Sequence, residues 1–257
     1  MNGEMHQISR IAAAAKNALQ TNTAISFSPG LYESSILFQF LPRKSLFGEK
    51  SGKTVAITEW YQICRSKGLA SVILLVPLAV EDRGILGFSN TTQSILVCCF
   101  KNQRVTYFAP HWSFDSSQKA WDILYTEHEW QHAPHTLPRF QNPTDDFLSV
   151  LIKIKAFAEE IGYPNFANLF QKAADILLGE SDLSTLEQKL ALPAIPANHQ
   201  RLFLAASYAD VFGAMGSWND SPPYSAHEKG SDQEYETLSK ELLKQVRLAV
   251  LFAVNEW

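Results

Sequence analysis

The rhythm of apolar and polar positions changes near residue 143 and divides the chain into two regimes. Between residues 22 and 110, short runs rich in β-branched and aromatic residues recur between turn residues. They are TAISF (23–27), SILFQF (35–40), LASVILLV (69–76), QSILVCCF (93–100) and RVTYFA (104–109), and runs of that length and composition predict strands. Lys101, Asn102 and Gln103 form a connection of hairpin length, so the last two runs are expected to pair antiparallel. The run 69–76 is apolar at consecutive positions and is expected in the centre of a sheet, covered on both faces. Helical spacing is read over 6–20, over TEWYQICRSKG (58–68) ending at Gly68, and over 116–132, with Trp121, Leu124 and His128 facing inward.

After Pro143 every run has helical spacing. Residues 144–162 open with Thr144 or Asp145 as N-cap, place acids in the first turn and stop at Gly162. FANLFQKAADILLG (166–179), DLSTLEQKLAL (182–192) and HQRLFLAASYADVFG (199–213) follow. The closing segment 231–257 carries a stripe of Leu238, Leu242, Val246, Leu248, Ala249 and Phe252. The expected class is α+β. A mixed or antiparallel sheet of five or more strands with helices fills an N-terminal part (1–143), and the C-terminal part (144–257) is all helical. The two are subdomains or share one core.

Apolar residues make up 46% of the 257 positions and include 16 Phe, enough for a sizeable core and too many for a disordered chain. A formal net charge of −4 gives no reason to expect nucleic acid as a partner. The charge is uneven: residues 1–145 carry 13 Lys/Arg against 11 Asp/Glu, and 146–257 carry 9 against 15. A mildly acidic C-terminal part suits solvated helix faces, and it also suits a basic partner. Cys64, Cys98 and Cys99 form no disulfide framework. The adjacent pair sits in a strand-like run, pointing to opposite faces, and reads as core thiols in a reducing compartment. The longest apolar run, 69–80, has 12 residues, short of the roughly 20 that span a bilayer. Lys16 interrupts the N-terminal apolar run, which makes a poor signal peptide. A cytoplasmic protein with no membrane partner is expected.

Two stretches invite a catalytic reading. FGEKSGKT (47–54) resembles a phosphate-binding loop, but Gly48 and Gly52 have three residues between them where that loop needs four, so a lysine-rich hairpin or loop tip is expected. His128-Glu129-Trp130-Gln131-His132 matches H-E-x-x-H. On a helix, residues i and i+4 share a face, so His128 and His132 would hold one zinc while Glu129 polarised its water. His135, Glu159 or Glu160 is the candidate third ligand. Against this, Pro134 ends a helix directly after His132, and the longer extensions of known zinc peptidases are missing. Random placement of 7 His and 16 Glu gives such a match in roughly one chain of this length in a hundred. A zinc-dependent peptidase or amidase is therefore the alternative reading. No G-x-S-x-G elbow supports serine hydrolysis.

The remaining signal is GAMGSWND (213–220), followed by Ser221, Pro222, Pro223 and Tyr224. Two glycines permit a sharp turn, and Trp218 either packs back onto the helices or stands out as an anchor for a partner. Together with the helix that follows, this stretch resembles the C-terminal end of a bacterial domain-of-unknown-function family whose members read FGGMGSWND, then an acidic segment with YE, then a helix closing in A-x-N. Ala214 stands where that pattern has glycine. Such proteins look like immunity proteins, which neutralise a cognate toxin by binding it. The resemblance implies a non-catalytic protein with a toxin as protein partner, no cofactor, and Ser217, Trp218, Asn219 and Asp220 at the contact surface.

Overall fold

The computed structural model describes residues 1–45, 48–50, 52–134, 136–183, 190–192 and 195–257. The class is α+β: a mixed six-stranded sheet with two helices early in the chain, then helices to the end. Contacts divide the chain into two units that do not follow sequence order. A helical unit comprises Met1–Ser9, Val76–Thr92 and Arg139–Trp257, and a sheet unit comprises Arg10–Leu75 and Gln93–Pro138. Helix α1 (Gly3–Gln20) begins in the first and continues in the second.

The sheet unit contains β1 (Glu33–Gln39), β4 (Thr54–Ala56), β5 (Leu69–Leu75), β6 (Ile95–Phe100), β7 (Val105–Asp115) and β8 (Ala120–Glu129), in the order β4-β1-β8-β7-β6-β5. β1 and β8 run parallel, and every other neighbour is antiparallel. The hairpin expected between residues 93–100 and 104–109 is present as β6 and β7, with Gln103 at φ 68° in its turn. Helix α2 (Ile57–Ser66) packs beside β1, β4 and β5. Its Trp60 stacks on Phe38 at 4.4 Å, and Phe38 stacks on Tyr125 at 4.8 Å and meets Phe108 edge-on. Successive strand residues point to opposite faces, and the pairing register gathers these rings on one of them. Cys98 lies on that face and is fully buried, while Cys99 on the other is half-buried. Contact with Cys64, then burial, push the Cys98 thiol well above its ordinary value, as for a core thiol.

Three expectations are corrected here. Residues 116–132 are not a helix but the turn and strand of a β7–β8 hairpin. The Asp115 carboxylate accepts from Ser117 N, Ser117 Oγ and Gln118 N, and Lys119 takes φ 52°. Serine and aspartate serve helix N-caps and tight turns through the same local bonds, and here Asp115 and Ser117 make a turn. The run 69–76 is an edge strand, not a central one: Val72 and Leu74 are buried while Ile73 and Leu75 are half-exposed. TAISF joins no ladder. Its carbonyls at Thr23 and Ser28, just beyond, accept from the Arg65 and Arg10 guanidinium groups instead of a neighbouring strand.

Strands β2 (Arg43–Ser45) and β3 (Gly48–Lys50) pair as a separate antiparallel ribbon. In FGEKSGKT, residues 47 and 51 lie outside the described ones. The segment leads into β4 and not directly into a helix, unlike a phosphate loop.

The helical unit packs α3 (Thr144–Glu160), α4 (Pro164–Leu178), α5 (Ala197–Ala209) and α7 (Asp232–Asn255), with short α6 (Pro222–Glu228) against α7. Gly162 at φ 88° and Gly179 at φ 80° end α3 and α4 as expected. The cap of α3 differs: Asn142 Oδ1 accepts from Thr144 N and Thr144 Oγ, so Asn142 does the work assigned to Thr144 or Asp145. Helix α5 stops at Ala209 and not at 213, because Val211 O is taken by Trp218 N and the chain turns away. Residues 184–189 of the expected helix 182–192 lie outside the described ones. No helix among the described residues is long and apolar enough to cross a membrane.

Candidate functional site

Strand β8 carries the H-E-x-x-H residues. His128 and Glu129 are consecutive on it and point to opposite faces. His128 is exposed and stacks on Tyr107 at 5.0 Å, with Trp130 edge-on to the same Tyr107 ring. Glu129 accepts from Arg104 at 2.6 and 2.9 Å, and Arg104 also reaches the buried Glu127 at 3.4 Å. His132 lies beyond the strand in a turn, at φ 62°. The shared helical face on which His128, His132 and Glu129 were to assemble a zinc site is therefore absent, which corrects that geometry. Glu159 and Glu160 are exposed at the end of α3, and Glu159 pairs with Lys155 at 3.7 Å. His135 lies outside the described residues. Among those described, no three His, Cys, Asp or Glu side chains gather closely enough to hold a metal.

GAMGSWND occupies the loop between α5 and α6 in the helical unit. Trp218, expected as a contact anchor, is fully buried, which removes it from the surface. Its ring meets Phe166 at 5.3 Å, Phe170 at 5.5 Å and Tyr235 at 5.7 Å. The indole N–H donates to Ser239 Oγ at 2.8 Å, and Tyr235 Oη donates to the Trp218 carbonyl at 2.8 Å. One side chain thus ties the loop to α4 and α7. Ser217 Oγ donates to Gly213 O and accepts from Asn219 N, while Asp220 accepts from Gly216 N at 2.8 Å. Gly216 sits at φ 79°, a conformation that glycine adopts without penalty. Ser217 and Asn219 are half-buried and Asp220 is exposed.

Met215 at the tip is 93% exposed. A second loop lies against it. The short helix η1 (Arg83–Gly87) brings Gly87 so close that a Cβ there would stand 2.2 Å from Ala214 N and 2.7 Å from Ala214 Cβ. Only glycine permits this backbone contact, and Phe88, 62% exposed, follows Gly87 as Met215 follows Ala214. The second loop is held from several sides. Buried Glu4 accepts from Asn90 N and Thr92 Oγ, and Asn2 Nδ2 donates to Leu86 O. Arg247 donates to Pro77 O. Arg83, itself buried, pairs with Glu236 at 2.9 and 3.3 Å and lies over the Tyr235 ring. The Arg83 hydrogen bond holds the Glu236 carboxyl below the usual range, and burial raises the Tyr235 phenol.

The result is two braced loops presenting Phe88 and Met215, with Asp82 and Asp220 exposed on those same loops. The unit that bears them holds 11 Lys/Arg against 19 Asp/Glu, a net of −8. A cleft of about 310 Å³ between α3 and α4 has a mostly apolar lining, including Ile152, Phe170 and Leu178, with Lys155 and Glu159 on it. Sequence reasoning singled out neither Phe88 nor the exposed Met215. The one available signal was the pair Gly84 and Gly87 in RGILGF, and glycine can mark close backbone approach without naming its partner. No protein-family model, curated protein or solved structure matches this chain.

Proposed function

We propose that the protein is a non-catalytic binder of the immunity class, which neutralises a toxin by docking on it and occluding its working surface. The observation that carries this reading is the paired exposure of Phe88 and Met215 on two loops that the rest of the unit holds rigid. A backbone already held in place gives up little conformational entropy on binding, and exposed apolar side chains on it serve as anchors. The surplus of acids in the same unit favours a basic partner and speeds its approach. The resemblance of GAMGSWND and the following helix to immunity-like proteins supports the same role. Trp218 has a different part from the one the motif suggests: it fixes the loop from inside, and Met215 does the touching.

The test is protection. A host expressing the toxin encoded beside this gene survives when the wild-type chain is co-expressed. The Phe88→Asp/Met215→Asp variant, folded by circular dichroism, is expected to lose protection. Full protection by that variant would place the interface elsewhere, and absence of any protection by the wild type would end the immunity reading.

A further inference from the structure

The sheet unit has two unlike faces. One carries Phe38, Phe108, Ile123 and Tyr125 in the core. The other carries Leu37, Ile73, Tyr107, Ala109, Leu124 and Thr126, all half-exposed or exposed. The pairing register places those six on one side, on four of the six strands, together with Val97 of β6, which is buried between Ile73 and Tyr107. An antiparallel sheet open to water normally alternates core residues with charged ones. Here no strand position on the open face is Lys, Arg or Glu. Its only charged side chains are Asp115 and Asp122, both at the end nearest the β7–β8 turn. Exposed sheet faces without such charges mark interaction surfaces.

We propose that this face pairs two copies of the chain, sheet against sheet. The distribution of polar groups favours a second copy over another partner, because the face complements itself. The Asp122 carboxylate lies at one end of β8, and the His128 imidazole lies at the other. A two-fold axis lying in the interface and crossing the strands near Leu124 and Thr126 sets each aspartate end over the partner's histidine end. Imidazole N–H groups then meet carboxylates at both ends, and a middle that mixes Leu124, Ala109 and Leu37 with Thr126 and the exposed His111 meets its own copy. Hydrogen bonds from Ser34 and Ser35 hold the Asp122 carboxyl below its ordinary range, so it stays ionised as an acceptor. Strands about 4.8 Å apart and about 20 Å long give a flat face of roughly 500 Å² per copy. That approaches the lower limit of specific interfaces, so the dimer is weak and depends on concentration. The proposal does not rest on the toxin-binding reading, which concerns the other unit.

Sedimentation of the full-length protein from about 1 μM to about 500 μM tests it, a span that brackets a weak complex. The wild type is expected to pass from monomer to dimer within that range. Thr126→Lys places like charges near the axis and is expected to raise the dimer dissociation constant on the order of 100-fold, with circular dichroism and melting unchanged. Leu37→Glu, at an exposed position on the same face, gives a second reading should the first variant be unstable. A wild type that stays monomeric to about 500 μM overturns the proposal. So does a dimer indifferent to both substitutions. A monomeric wild type whose toxin binding is lost in Thr126→Lys also overturns it, and assigns the face to that partner.

Discussion

Each unit is organised around a tryptophan among aromatic rings, and the two tryptophans are held differently. Trp60 in the sheet unit stacks on Phe38 and meets Phe108 edge-on, and its indole N–H is buried without a hydrogen-bond partner. Trp218 in the helical unit has a similar ring environment, but its N–H donates to Ser239 and its carbonyl accepts from Tyr235. The first cluster is packing alone. The second couples packing to a loop whose shape must be fixed. A core built from stacking tolerates rearrangement of its rings, whereas a loop that presents a surface needs directional bonds to hold one geometry.

Truncation should hardly distinguish them. Trp218→Ala and Trp60→Ala each empty a fully buried site and are expected to cost about 3–5 kcal/mol, read as a lowered denaturation midpoint. Comparable losses would show that packing dominates in both. Gly87→Ala comes next. The added methyl meets backbone and not a flexible side chain, so about 1–3 kcal/mol is expected from overpacking, and protection against toxin should fall because the two loops must part. A melting temperature unchanged by Gly87→Ala would contradict the close approach.

The sharper contrast lies in conservative exchange. Trp218→Phe takes the indole donor from the buried Ser239 hydroxyl, which keeps its contact with Tyr235, adding about 0.5–1.5 kcal/mol to the loss of ring volume. Ser239→Ala on that background should recover part of the loss. Trp60→Phe removes an N–H that had no partner, so no such addition is expected. Equal costs for the two Phe variants would erase the distinction drawn here.

The smallest effect belongs to acid. Arg83 lowers the folded-state pKa of Glu236, so the pair stabilises fully above the ordinary glutamate value of about 4.3. That contribution disappears as pH falls through the lower folded value. The Glu236 side chain is 45% exposed, and solvent screening limits the effect to about 0.5 kcal/mol. Urea titrations at pH 7 and pH 3 should show a slightly smaller pH-dependent loss in Glu236→Gln than in the wild type. An equal loss would mean that the ion pair contributes nothing measurable.

Elements whose pattern fits a single period were legible in the sequence. Helices α3, α4 and α7 have long 3.6-residue stripes, the first two with glycine stops, and β6 and β7 have a short turn between them. Residues 116–132 were not, because Trp121, Leu124 and His128 fit helical spacing while Trp121, Ile123, Tyr125 and Glu127 fit a strand. The tie is broken by β1 and β7 on either side of β8, and by Glu127 accepting from Leu41 N and pairing with Arg104. Of these, β1, Leu41 and Arg104 lie far from β8 in sequence, beyond the reach of a local pattern. The edge position of β5 was hidden for a related reason. Ile73 and Leu75 are apolar on an open face, which the alternation rule assigns to a covered one. At the candidate site the motif was visible and its inner workings were not. Trp218 looks the same in sequence whether it faces in or out, and Phe88 lies well over a hundred positions from Met215.

Within the GAMGSWND loop, residues 213, 214 and 216–220 supply its hydrogen bonds and its tight approach to Gly87, while the Met215 side chain makes none of them. Framework and fingertip are separate. Selection can rewrite residue 215, and Phe88 after Gly87, without disturbing the fold beneath. Under the proposed immunity role, such a loop would let one lineage change opponents by single exchanges at its tip while the supporting residues stay fixed.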